Sequence, residues 1–203
     1  MTWEIITGDC LEVMRGMDTG SIDAVITDPP YGIDFRGKDW DSFIPNWLGF
    51  ARALAPMVAF TTAPTTLWDY PRPDWVSCWY REAAQSRTVY GSFNHWTPVV
   101  IYGRPHFRVD SIKLNSNVHK SPRDIGHPSP KPVAFMMWMI ENFTQPGNLI
   151  LDPFCGSGTT GVACIQTGRR FIGIEIDPGY ADIARARCEK AAEQARQMTM
   201  ELG

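Results

Sequence analysis

Four consecutive residues, Asp28-Pro29-Pro30-Tyr31, bring a carboxylate, a backbone carbonyl and an aromatic ring to a point where the chain has little freedom. Each proline fixes its own φ and lacks an N–H, so the turn is stiff. Asp28 and the Pro29 carbonyl then offer two hydrogen-bond acceptors in front of the Tyr31 ring. That set suits a planar base carrying an amino group, which can donate to both acceptors while it stacks on the ring. Asp28, Pro29, Pro30 and Tyr31 are therefore the candidate catalytic residues. A turn that merely ends a strand also favours Asp and Pro, so the reading calls for a second signature.

The second signature is Asp152-Pro153-Phe154-Cys155-Gly156-Ser157-Gly158-Thr159-Thr160-Gly161, which follows an apolar run and opens a helical one. Gly156 and Gly158 let a backbone approach a ligand closely, and a helix start supplies unpaired N–H groups. Glu175 closes the next apolar run at the distance where an acid accepts bonds from ribose hydroxyls. The lysine of a triphosphate-binding loop is missing. Gly156-x-Gly158-x-x-Gly161 also matches the dinucleotide fingerprint, which keeps an NAD-dependent oxidoreductase open as a rival. That rival leaves Asp152 and the Asp-Pro-Pro-Tyr turn unexplained. A ligand with a cationic amine and no pyrophosphate, such as S-adenosylmethionine, would use Asp152 as its counter-ion.

These groups need rigid elements to hold them. Ser21 to Thr27, Met57 to Thr61 and Phe171 to Ile176 read as buried strands, and Trp3 to Thr7 and Leu149 to Leu151 as short ones. Trp75 to Tyr80 and Pro98 to Tyr102 read as two further strands whose turn-rich join suggests an antiparallel edge. Helices are expected from Leu11 to about Gly20, from Ser42 to Leu54, over Val133 to Asn142 with Pro132 in the first turn, over Thr159 to Gln166, and from Pro178 to about Arg196. A single helical turn fits Thr65 to Tyr70. Strand–acid–helix units of this kind predict a doubly wound, mostly parallel α/β sheet, with ligands at the carboxyl ends of the strands. The charged loop from Gly32 to Asp41 is a candidate lid, and His106 to Gly126 is expected to be a long loop.

The 203 residues suit a single domain, residues 1–203, and 44% hydrophobic against 20% charged residues is ordinary globular balance. Five cysteines form no CxxC pair and no cluster with the four histidines, so no metal site is expected. Their odd number suggests reduced thiols in a cytoplasmic setting. The stretch MTWEIITGD does not read as a basic leader, and the most apolar run, Val133 to Ile140, is too short to cross a bilayer, so neither secretion nor membrane insertion is expected. Net charge is −3, yet between Arg72 and Lys131 nine basic residues face four acidic ones, with Trp75, Trp79, Tyr80, Tyr90, Phe93, Trp96 and Tyr102 interleaved. A surface that binds phosphates and stacks bases needs such a mixture.

With both motifs in hand the chain resembles the β class of amino-group DNA methyltransferases, which modify the exocyclic nitrogen of adenine or cytosine. The order is theirs: Asp-Pro-Pro-Tyr, a variable region, His127-Pro128-Ser129-Pro130-Lys131-Pro132, then Asp-Pro-Phe-Cys-Gly-Ser-Gly-Thr-Thr. The resemblance implies a Rossmann-like sheet of the S-adenosylmethionine-dependent methyltransferase type, circularly permuted so that the chain enters at the strand that would otherwise follow Glu175. It implies S-adenosylmethionine as cofactor and double-stranded DNA as partner, with the target base flipped out onto Tyr31, and a candidate recognition region at about 81–126. A homodimer stays open. Carried over, Asp9 and the Cys10 backbone would read the cofactor adenine and Glu175 with Ile176 the ribose side. The turn Phe154, Cys155, Gly156, Ser157, Gly158 and Thr159 would cradle the cofactor, Asp152 would face the amino group, and Ser129 and Lys131 would close over the methionine end. Asp at position 28 favours N6-adenine over N4-cytosine. A carbon-5 cytosine reaction would need a Pro-Cys nucleophile, which does not occur here.

Overall fold

The computed structural model of the chain describes residues 2–33, 46–80, 86–87, 93–104 and 130–201. The elements run β1 (Trp3–Thr7), α1 (Cys10–Arg15), β2 (Ala24–Thr27), α2 (Leu48–Leu54), β3 (Met57–Thr61), β4 (Trp75–Tyr80), β5 (Ser86–Arg87), β6 (Phe93–Asn94) and β7 (Trp96–Tyr102). They continue with α3 (Val133–Phe143), β8 (Leu149–Asp152), α4 (Thr159–Gln166), β9 (Arg170–Glu175) and α5 (Pro178–Glu201), and a single 3-10 turn lies at Leu67–Asp69. The expected Ser42 cap, most of the Gly32 to Asp41 lid and the His106 to Gly126 loop lie outside the described residues, as does most of the 81–126 region.

Seven strands form one sheet in the order β1-β9-β8-β2-β3-β7-β4, and β5 pairs with β6 separately. From β1 to β3 all neighbours are parallel. Such a sheet is covered on both faces, so its strands are apolar throughout, and β2 and β3 are buried along their whole length. Alternation divides their side chains between two cores. Ala24, Ile26, Met57 and Ala59 pack with Phe135, Met139, Val162 and Ala184 of α3, α4 and α5. Val25, Val58 and Phe60 pack with Met14, Leu48 and Leu54 of α1 and α2.

The two strands expected at an antiparallel edge, β4 and β7, do pair antiparallel there, with β4 outermost. β7 runs against both neighbours, while β4, outside it, points the same way as the parallel strands. Burial accounts for the order. β7 is buried from Thr97 to Tyr102, whereas β4 leaves Trp75 and Tyr80 largely exposed, as an edge strand can. The circular permutation is visible at the other edge, where β1 pairs with β9 and α5 returns over both. Arg185 of α5 donates to the Ile5 carbonyl and the Thr7 hydroxyl of β1. Among the described residues no helix is long and apolar enough to cross a membrane.

Candidate active site at the carboxyl rim of the sheet

Asp28 leaves the sheet where β2 stops, because the two prolines that follow cannot continue a ladder. Its Oδ1 accepts from the Tyr31 hydroxyl at 2.8 Å and from the Thr61 hydroxyl at the end of β3. Its Oδ2 accepts from the Lys131 ammonium at 2.5 Å. The same ammonium lies 5.2 Å from the centre of the Tyr31 ring. A carboxylate, a ring face and a cation thus meet in one small volume.

One strand away, β8 ends at Asp152 and the glycine turn begins. Gly158, at φ +78°, takes the N-cap of α4, and the Gly156 N–H donates to Glu175 Oε2 at 2.9 Å. The other oxygen of Glu175 accepts from the Asp177 N–H at 2.9 Å. This carboxylate is held by backbone at the end of β9, and burial raises its pKa above the ordinary value. Ile176 beside it is 65% exposed. A fixed carboxylate next to bare apolar surface matches a nucleoside, whose ribose needs acceptors and whose base needs a flat dry contact.

Asp9 and Cys10 follow β1, the neighbour of β9, with Thr7 in register with Glu175. Asp9 Oδ1 caps α1 through the N–H groups of Leu11 and Glu12. Burial and the adjacent Asp9 push the Cys10 thiol up to about 12, so it stays protonated. Phe154 packs edge-on against Trp47 and extends the core to the turn. Ser129 lies outside the described residues.

Two expectations require correction, those for Asp152 and Lys131. Asp152 does not face outward as a counter-ion: it is 2% exposed, and it accepts from the Thr27 hydroxyl, the Phe154 N–H and the Thr160 hydroxyl. Burial pushes its carboxyl up to about 6. Gly158 also has a packing reason to be glycine: a Cβ there would come within 2.9 Å of Ala184 on α5. Lys131, expected at the methionine end of the cofactor, pairs with Asp28. Cys155 and Ser157 are likewise buried within the turn. The Ser157 hydroxyl accepts from Arg187 of α5 at 3.0 Å, and Thr159 accepts from the same guanidinium at 3.3 Å.

Four contributors escaped the sequence reading: Thr61, Thr27, Thr160 and Arg187. Thr160 stands inside the second motif and Thr27 directly before Asp28, and that position beside the motifs was the available signal. Thr61 and Arg187 carry none. The Thr27–Asp152 bond decides the larger question, since it places the Asp-Pro-Pro-Tyr turn and the glycine turn side by side on one rim.

Residues 57–186 match the family model described as DNA methylase, the amino-group (N6 or N4) methyltransferases. The chain belongs to the DNA methylase family. It is 29% identical over 200 residues to the Escherichia coli (strain K12) protein YubD, covering 86% of this chain and 85% of that one. It is 26% identical over 258 residues to the DNA adenine methyltransferase YhdJ of Escherichia coli (strain K12), covering 93% and 83%. The crystal structure of the M1.HpyAVI–SAM complex shares the fold, with a TM-score of 0.70 at 24% identity, covering 92% of this chain and 100% of that one. For this methylase, DNA is the substrate class.

Proposed function

We propose that this methylase moves a methyl group from S-adenosylmethionine to the exocyclic N6 amine of an adenine flipped out of double-stranded DNA. The observation that carries the reading is the Asp28–Tyr31 turn, clasped to the glycine turn through Thr27 and Asp152. The adenine preference rests on aspartate at position 28, and the name of YhdJ is in keeping with it.

On the cofactor side, the Asp9 and Cys10 backbone would meet the adenine, Glu175 the ribose hydroxyls, and Phe154, Ile176 and the Gly156 turn the remaining contacts, with Ser129 at the methionine end. S-adenosylmethionine supplies an electrophilic sulfonium methyl. The chain's own residues must make the amine a nucleophile, because its lone pair is delocalised into the ring. Asp28 Oδ2 and the Pro29 carbonyl accept the two amine protons and favour the pyramidal geometry in which the pair is available. Tyr31 stacks on the base once it has left the duplex. As the nitrogen turns cationic, the Asp28 carboxylate stabilises it, so catalysis is alignment plus electrostatics. Lys131 already marks that spot with a positive charge and must yield it to the substrate. Residues 1–203 act as one domain, with the 81–126 region contributing recognition. The five free thiols suit a cytoplasmic setting.

The test is incubation with plasmid DNA and labelled methyl donor, followed by single-molecule mapping of modified bases. Label on adenine N6 is expected, with Asp28→Ala losing at least about 1,000-fold in turnover and keeping cofactor affinity by calorimetry. Label on cytosine N4, no label at all, or an undiminished Asp28→Ala each overturns the proposal.

A further inference from the structure

We infer that Thr61 is a positioning residue for the Asp28 carboxylate, determining which of its two oxygens receives the substrate amine. The inference rests on the methyl-transfer reading of the site. Thr61 is the last residue of β3, fully buried, and its hydroxyl donates to Asp28 Oδ1. The Tyr31 hydroxyl donates to the same oxygen. A carboxylate oxygen has two lone-pair sites, so Oδ1 is filled by protein hydroxyls. The incoming amine must address Oδ2, which faces the Lys131 ammonium on its flexible stem.

The two hydroxyls are not equivalent. Tyr31 belongs to the turn and moves with the ring on which the base would stack. Thr61 belongs to the sheet: it is paired with Val99 of β7, and the Thr62 N–H beside it donates to the Pro98 carbonyl at 3.2 Å. A β-branched side chain on such a strand has little χ1 freedom. The outer torsion of aspartate, by contrast, is broad and two-fold. Asp28 therefore needs an external donor to keep one oxygen forward, and Thr61 supplies it from the rigid side of the site. Without that hydroxyl the carboxylate turns, and the amine loses the alignment in which its lone pair meets the methyl carbon.

Thr61→Val removes the hydroxyl and keeps the shape. The expected result is a fall in kcat of about 10- to 100-fold, the loss associated with one hydrogen bond to a charged group. Cofactor affinity and KM for DNA should stay within about twofold, and Thr61→Ser should recover most of kcat. Thr66→Val is the control for a purely structural effect, because it deletes another buried hydroxyl, bonded to Thr62 and the Ala63 carbonyl. It should lower Tm and leave kcat in place. If valine prevents folding, Thr61→Ala reads the same step. An undiminished kcat in Thr61→Val or Thr61→Ala, no recovery with serine, or an equal loss in Thr66→Val overturns the inference while an active wild type keeps the function. A wild type that transfers no methyl group removes both.

Discussion

The Thr27 hydroxyl donates to the Asp152 carboxylate at 2.5 Å, joining the last residue of β2 to the last residue of β8. Thr160, in the first turn of α4, donates to the other oxygen of the same carboxylate at 2.5 Å. One buried acid thereby ties together the strand that delivers Asp28, the strand that delivers the glycine turn and the helix that follows. The relative placement of the two halves of the site is set inside the protein.

The clasp makes stability depend on pH in a defined direction. Burial raises the Asp152 carboxyl to about 6, so the folded chain takes up a proton there more readily than the unfolded one. The ionised form costs stability above pH 6, and the cost is relieved as the pH falls from about 6 toward about 4. Asp152→Asn does not titrate. Urea unfolding should show wild type gaining about 1 kcal/mol relative to Asp152→Asn between pH 7 and pH 5. A constant difference would contradict the burial argument.

The Lys131–Asp28 pair should be energetically coupled. Their side chains are 15% and 25% exposed, so removing one charge strands the other in a partly dry site. Lys131→Met should cost about 1–3 kcal/mol, and adding Asp28→Asn should recover part of it. Thermal unfolding of the two single variants and the double variant closes the cycle. Additive effects would reduce the pair to a surface contact.

Gly158→Ala should be far more damaging than Gly147→Ala. Both residues have positive φ, yet a Cβ at Gly147 meets open space whereas one at Gly158 meets Ala184. Backbone strain alone is worth about 1 kcal/mol, and the clash adds about 1–3 kcal/mol more. Urea midpoints of the two variants give the comparison, and equal losses would mean that α5 yields.

Arg187 holds the glycine turn, the proposed cofactor cradle, from behind, through the Ser157 carbonyl and hydroxyl and the Thr159 hydroxyl. Arg187→Met should weaken S-adenosylmethionine binding about tenfold, as loss of bonds from a charged donor does. At saturating cofactor, kcat should stay within about threefold of wild type. Calorimetry with a steady-state assay separates the two, and an unchanged Kd would remove Arg187 from the binding argument.

Much of this architecture was legible because local chemistry dictates it. Met57–Thr61, Trp75–Tyr80 and Thr159–Gln166 fall where the apolar runs and their glycine, proline and aspartate borders place them. α3 begins at Val133 as expected, although Pro132 serves as its N-cap and not in its first turn. β7 extends back to Trp96, two residues before the expected start, because Tyr80 of β4 pairs with Trp96. Its place inside the edge follows from a pairing with β3 that nothing in either segment announces.

The amino-acid sequence alone determined the family, the doubly wound sheet and the two motifs, because stiff prolines, glycines and apolar periodicity act over a few residues. Only the tertiary structure decided that Asp152 faces inward, that Gly158 accommodates α5, and that Thr61 and Lys131 converge on Asp28. Each of those facts is a contact between residues far apart in the chain, fixed by how strands are ordered and helices packed, and such contacts leave no local trace.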